Sequence, residues 1–419
     1  QPRSAVADVA LRAVSLRLAA NVAPLVVEQL EGRITGQRSD DGFTLAVQRF
    51  GFVAGDGLRW RGGDMNLALR QKPGAPSTGG DFSAQRLDLG LMAEVAASLP
   101  MGDALRRLLA EVKPQGTLSE LALKWDGPLD APANYQVKGA LSGLSLASGS
   151  VAKGEAGKNE GGKSDTVGRP GLRNASLQLS ANQDGGTAQL SVIGGALELP
   201  GVFEDPLLPL DRLSAQLLWK IDAGKISAQV KDARFANRDA QGELSASWST
   251  GAGTGVGRGG RFPGQIEVNG KLAKGVAART ARYLPLGIPE GARRYVERAV
   301  KGGTIASADF RVKGDVADFP FRNPASKGEL RIKALAEDVT FAYLPGEPAT
   351  ATKPPHESPW PALTRVSGEL VLDRTALQFR NAQAQLGGVQ WGQVQGGIAN
   401  LADNPQLALD GRASGPLTE

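Results

Sequence analysis

The sequence has no cysteine and a single histidine, His356, among its 419 residues. Zinc-finger, iron–sulfur, haem and thiol chemistry all need those ligands, and a triad needs a base on a structured element. No cofactor, no metal site and no catalytic residue is expected. Disulfides contribute nothing here, although that does not fix a redox compartment. Aromatic residues supply only 5% of the chain, too few for the girdles of a membrane barrel. No apolar run reaches the roughly 18–20 residues of a membrane-spanning helix, and no signal peptide opens the chain. Residues from Val6 to Leu18 already alternate as a strand does. The expectation is therefore an interior segment of a longer protein, with any export signal or anchor upstream. A net charge of +5 is spread evenly over 48 basic and 43 acidic residues. Nucleic-acid binding would require clustered Lys and Arg with interleaved aromatics, so no nucleic-acid partner is expected.

Glycine and proline are plentiful, at 55 and 25 residues. Together they make up roughly a fifth of the chain, against a usual share near 12%. A helical bundle does not tolerate so many breakers, whereas many turns between strands require them. Period-2 alternation recurs throughout, as in Leu213-Ser-Ala-Gln-Leu217-Leu-Trp219-Lys-Ile221 and at Leu330/Ile332, Val339/Phe341/Tyr343 and Leu377/Phe379. One apolar face and one polar face per strand mark an antiparallel sheet with a wet side. Turn signals close the strands at Asp40-Asp41-Gly42, Asn182 to Gly186, Asp222-Ala223-Gly224 and Asn237-Arg238-Asp239. The reading is mainly β, with roughly 20–25 strands of 4–8 residues.

Two segments break the alternation. Asp103 can cap a helix through Val112 with Leu105, Leu108, Leu109 and Val112 on one face. Pro289, suited to a first helical position, opens a second with Ala292, Tyr295, Val296 and Ala299 on one face. The two sets share one constant offset, which also carries Gly116-Thr117 onto Gly303-Thr304, and Leu121, Leu123 and Trp125 onto Ala308, Phe310 and Val312. A repeated helix-plus-strand unit suggests growth along an axis. The expected organisation is one continuous elongated segment over 1–419, with repeat-like units at 1–91, 92–275 and 276–419. A disordered insertion is expected over 148–171. Ser249 to Gly264 reads as a Gly-rich turn and Pro345 to Pro361 as a Pro-rich connection.

Two motifs match by letter and fail on context. Gly157 to Ser164 spells a phosphate-binding P-loop, but no buried strand enters it and Gly168, Pro170 and Gly171 forbid the helix that must leave it. Gly255 to Gly260 spells a dinucleotide fingerprint, yet Pro263 and a strand follow.

The stretch from Ala281 carries Ala-Arg-Tyr-Leu-Pro-Leu, a Pro-started helix with Arg-Arg-Tyr-Val, Gly-Gly-Thr-Ile, and Phe310-Arg-Val-Lys-Gly-Asp-Val-Ala-Asp-Phe-Pro-Phe321. Val339-Thr-Phe-Ala-Tyr343, Trp360-Pro361, Gly368-Glu-Leu-Val-Leu372 and Gly411-Arg-Ala-Ser-Gly-Pro416 follow in order. This order resembles the central region of the YhdP family, an AsmA-like group related to TamB. The clear resemblance covers Leu272 to Glu419, and the earlier residues agree in style. It implies a bacterial envelope bridge anchored in the inner membrane and reaching across the periplasm. In that picture a long twisted antiparallel sheet coils into a U-shaped, taco-like groove with a few short helices. The groove carries phospholipid acyl chains toward the outer membrane. Its lining would be Leu121, Leu123, Trp125, Leu217, Trp219, Phe310, Val312, Leu330, Ile332, Phe341, Leu370, Leu372 and Phe379. The expected partners are phospholipid, the two membranes through parts outside this segment, and other envelope proteins. The alternative is a structural or protein-assembly scaffold of the envelope without lipid conduction, since sheet-on-sheet packing gives the same alternation.

Overall fold

The computed structural model describes residues 3–416 apart from 18–21, 55–58, 62, 72–76, 99–102, 129–131, 150–167, 324, 348–353 and 402–404. Most of the insertion expected over 148–171, and all of the P-loop-like Gly157 to Ser164, lie outside the described residues. The protein is mainly β: twenty strands belong to one antiparallel sheet, divided between two compact units.

The first unit runs β1 (Ser4–Leu16), β2 (Leu25–Arg38), β3 (Gly42–Ala54), β4 (Arg59–Arg61), β5 (Met65–Arg70) and β6 (Gly79–Asp88). Then come α1 (Leu89–Glu94), α2 (Asp103–Val112), β7 (Gln115–Asp126), β8 (Asn134–Leu146), β9 (Gly171–Asn182) and β10 (Gly185–Glu198). It also takes in the end of β11 (Leu207–Asp222). The second unit holds β12 (Lys225–Ala236), β13 (Ala240–Ser249), β14 (Gln265–Val276), α3 (Glu290–Ala299) and β15 (Val300–Asp315). It continues with β16 (Glu329–Phe341), β17 (Leu363–Asp373), β18 (Ala376–Leu386), β19 (Val389–Ile398) and β20 (Leu407–Ser414). Consecutive strands pair from β12 to β20, as they do from β5 to β10.

Both anticipated helices form. α2 has the expected bounds, but its Leu105 and Leu108 stay close to half exposed. Pro289 precedes the first helical residue of α3 instead of occupying it. Its fixed φ of −51° still prepares the helix, and its missing N–H is one the first turn could not have used. The Gly-rich stretch from Ser249 is an ordered excursion: Trp248 stacks on Phe262 and donates from Nε1 to the Pro263 carbonyl at 2.8 Å.

The strands are longer than the alternation predicts. Both β11 and β15 reach 16 residues, and few fall below ten. Period-2 reading cuts a strand wherever apolar residues stand three apart, and those slips are β-bulges. In Leu118-Ser-Glu120-Leu121, Glu120 has φ 54° and the register with β8 shifts between Ser119 and Ala122. The same four-residue pattern occurs at Val230 to Ala233 about Asp232 (φ 50°) and at Ala336 to Val339 about Asp338 (φ 51°). It recurs at Phe379 to Ala382 about Asn381 (φ 52°). One residue in the left-handed region absorbs the extra position, so the strand continues with its apolar side still on the same face.

The other face carries registered charge. Glu243, Lys271, Asp309 and Lys333 sit side by side on β13 to β16, alternating in sign. Arg311 bridges Glu267 at 3.3 Å and Glu329 at 2.9 Å, and Lys333 reaches Glu369 at 2.7 Å. The hydrogen bond from Lys313 to Glu267 holds that carboxyl below its ordinary range. Each exposed pair contributes little, but the alternation keeps like charges from facing each other.

Two outcomes follow from this layout. Glu120 is exposed, so replacing it changes backbone preference more than contacts. In urea unfolding, Glu120→Gly should gain up to about 1 kcal/mol, and Glu120→Val should lose about 1–2 kcal/mol, because a β-branched residue resists positive φ. Glu198, at the end of β10, accepts from the Ser148 hydroxyl at 2.7 Å and pairs with Arg173; these contacts hold its pKa below the ordinary 4.5. A depressed carboxyl pKa stabilises the fold above the unfolded value and loses that contribution as pH falls through the folded one. Melting temperature should therefore drop more steeply below about pH 4.5 in the parent than in Glu198→Gln.

Candidate functional site: a one-sided apolar face

Strand register assembles side chains from distant positions into rows. In the second unit one row runs Leu244, Gly270, Phe310, Ile332, Leu372, Leu377, Ile398 and Leu407, from β13 to β20. The row beside it runs Gly242, Leu272, Ala308, Ala334, Leu370, Phe379, Gly396 and Leu409. A shorter third row joins Ala246, Val268, Val312 and Leu330. No charged side chain interrupts them.

The first unit repeats the arrangement. Leu45, Leu67, Phe82, Leu123, Val137, Ala181 and Gly186 align across β3 and β5 to β10. Val47, Met65, Ala84 and Leu121 lie on one side of that row. Phe43, Leu69, Gly80, Trp125 and Tyr135 lie on the other.

Ten of the thirteen anticipated lining residues occupy these rows: Leu121, Leu123 and Trp125 in the first unit, and Phe310, Val312, Leu330, Ile332, Leu370, Leu372 and Phe379 in the second. Trp219 on β11 meets Gly186, at the end of the first unit's long row, and Leu217 lies two residues before it, half-buried. Phe341 stands past the bulge of β16, where the Tyr295 ring of α3 meets it edge-on at 6.3 Å. Burial raises the Tyr295 hydroxyl pKa above its ordinary value.

Register also brings in residues that alternation within one strand did not select, among them Phe82, Val137, Leu244 and Val268. Their signal is the pairing partner, which only the folded sheet supplies. Burial along the rows is graded. Trp125 and Leu330 are buried, at 3% and 6% exposure, while Leu123, Phe310, Val312, Ile332, Leu370, Leu372 and Phe379 are half-buried. The fully buried cluster lies elsewhere, where Val27, Leu30, Phe52 and Leu91 pack together under α1.

A broad depression of about 540 Å³ in the second unit is lined in part by Glu243, Lys271, Asp309, Arg311, Arg331 and Lys333. Both charge signs alternate there, so it has no consistent pull on one class of ion. Among the described residues no group of His, Cys, Asp and Glu could hold a metal ion, and no helix is long and apolar enough to cross a membrane. His356 lies in an isolated backbone bridge with Glu347, away from any nucleophile pairing. Gly255 to Gly260 belongs to the excursion between β13 and β14, so no helix follows it to receive a pyrophosphate.

An antiparallel sheet with charge on one face and a long, incompletely covered apolar surface on the other defines a β protein whose chemistry is that of a surface. The chain belongs to the YhdP family: the family model described as YhdP protein matches residues 1–419. This is a family of bacterial envelope proteins, and membership points to a role related to lipid transport. Searches against curated proteins and against solved structures returned no match.

A charge on the polar face should be cheap to remove. Lys333→Ala should change stability by less than about 1 kcal/mol in urea unfolding, because its partner Glu369 stays near Arg380 and water.

Proposed function

We propose that this protein is a non-enzymatic segment of a periplasmic bridge that conducts phospholipid acyl chains along its apolar face between the inner and outer membranes. The observation that carries the reading is the uncharged row from Leu244 to Leu407, together with the incomplete burial of its large side chains. A sealed core would bury such residues almost completely, and a water-facing sheet would interrupt them with charge. Hydrocarbon satisfies such a surface without asking for directional contacts, so a chain can move along it without breaking hydrogen bonds. Family membership supports the same direction. Phospholipid and the two membranes are the partners in this reading.

Phe310→Asp tests it. On a partly open surface the carboxylate reaches water, and the melting temperature should fall only modestly. In a sealed core the same change would bury an unpaired charge at a cost of several kcal/mol and prevent folding. The expected result is near-parental melting with a clear loss of co-purified phospholipid, measured by mass spectrometry of an organic extract. Collapse of the fold would identify this face as core and favour the scaffold alternative. A stable variant with unchanged lipid would remove the face from the conduction path.

A further inference from the structure

On the apolar rows, three large aromatic rings lie across a glycine of the neighbouring strand. A side chain begun at Gly270 would meet the Phe310 ring, 2.7 Å from both Cε1 and Cε2. One begun at Gly80 would lie 2.6 Å from Cη2 of Trp125, and one begun at Gly186 would strike the Trp219 ring. Gly270 and Phe310 are registered partners, as are Gly80 and Trp125, and the arrangement occurs in both units. Neither Gly80 nor Gly270 is at a turn, and Gly270 is buried although it has no side chain of its own. What covers it is the ring.

We infer that Gly186 and Gly270 are positioning residues that set the depth of the apolar surface, an inference that rests on the conduction reading above. Each glycine supplies a recess into which a ring of the next strand leans. At Gly186 and Gly270 the ring then presents its flank as floor instead of standing into the space above, whereas Trp125 over Gly80 is itself covered. An aromatic ring cannot shorten itself. Close packing leaves it two choices, to lie in a recess or to occupy the volume an acyl chain would need. The recess thus selects for slender, unbranched hydrocarbon and against bulkier apolar molecules.

Gly270 gives the cleanest test. Its nearest obstructions are all Phe310 ring atoms, whereas at Gly80 and Gly186 the carbonyls of Ala68 and Ser180 also approach to 2.7 Å. The intact protein would be incubated with a phospholipid bearing a diazirine on one acyl chain, irradiated, and the crosslinked fraction measured. Parent, Gly270→Ala, Phe310→Ala and the double variant would be compared, with circular dichroism reporting the fold. Gly270→Ala should keep its sheet yet crosslink on the order of tenfold less, equivalent to about 1.4 kcal/mol. The double variant should recover, because the displaced ring is gone. Unchanged crosslinking in folded Gly270→Ala would overturn the inference while leaving conduction intact, and so would a double variant that stays low. A Gly270→Ala chain that fails to fold while the double variant folds would overturn it too, since the ring would have no upright position to take. A parent that does not crosslink would overturn the conduction reading, and this inference with it.

Discussion

Everything distinctive about this sheet depends on keeping each strand in phase with its neighbours. A slip of one residue would move every apolar side chain onto the charged face. Strands of 12 to 16 residues accumulate twist, and bulges bend them and strengthen that twist locally at a cost of one unpaired residue. An uncompensated bulge would invert the pattern beyond it. The sequence compensates by spacing the flanking apolar residues three apart, as in Leu118 and Leu121, Val230 and Ala233, and Phe379 and Ala382. The residue in the left-handed region is polar in each of these, Glu120, Asp232 and Asn381, and its side chain is exposed. Asn and Asp tolerate that conformation best, and a β-branched residue tolerates it least.

The same constraint explains where the chain is chemically sparse. Across a paired sheet, a large side chain must be matched by a small one beside it. Phe310 has Gly270 on one flank and Ile332 on the other, and Trp125 has Gly80 and Tyr135. Phe321, fully buried, fills the space over Gly314 and Gly328, and its carbonyl accepts two hydrogen bonds from Arg374, at 2.9 and 2.7 Å. Many glycines in this protein thus serve strand interiors as well as turns, and a low aromatic content is compatible with an apolar surface. A few rings, each given a recess, cover as much floor as many aliphatic side chains.

Sequence made the fold class legible because the alternation is strong and the turn chemistry is explicit, as at Asp222-Ala223-Gly224, where both Ala223 and Gly224 take positive φ. Both helices were legible for the same reason, since Pro289 and Asp103 mark their starts. Strand length was not legible. Leu330/Ile332 and Val339/Phe341 belong to one strand, β16, yet their parities differ, and only the backbone at Asp338 reconciles them. The face was legible one strand at a time, so Phe310 and Leu372 were found while Val268 and Leu244 were not. Membership of a row is a property of pairing. The glycine recesses were hidden for a further reason: glycine in a strand reads as a bulge or a break, and nothing in a single strand announces the ring that will cover it.

The two faces also divide the work of staying open. On the charged side Glu243, Lys271, Asp309 and Lys333 alternate in sign along the register, so each faces opposite charge, and water completes their solvation. A second sheet laid on that side would have to desolvate them all, which is costly enough to discourage stacking. On the apolar side, aromatic cover comes at the strand ends, from Tyr295 against Phe341 and from Phe321 over Gly314. Between those ends most of the large side chains remain incompletely buried. An apolar surface of this extent is ordinarily an aggregation liability. Its persistence next to a face so carefully solvated fits a surface whose complement is supplied from outside the chain. If that complement were another protein, directional polar contacts would be expected to fix its register, and the side chains of the second unit's rows offer none. Hydrocarbon needs none.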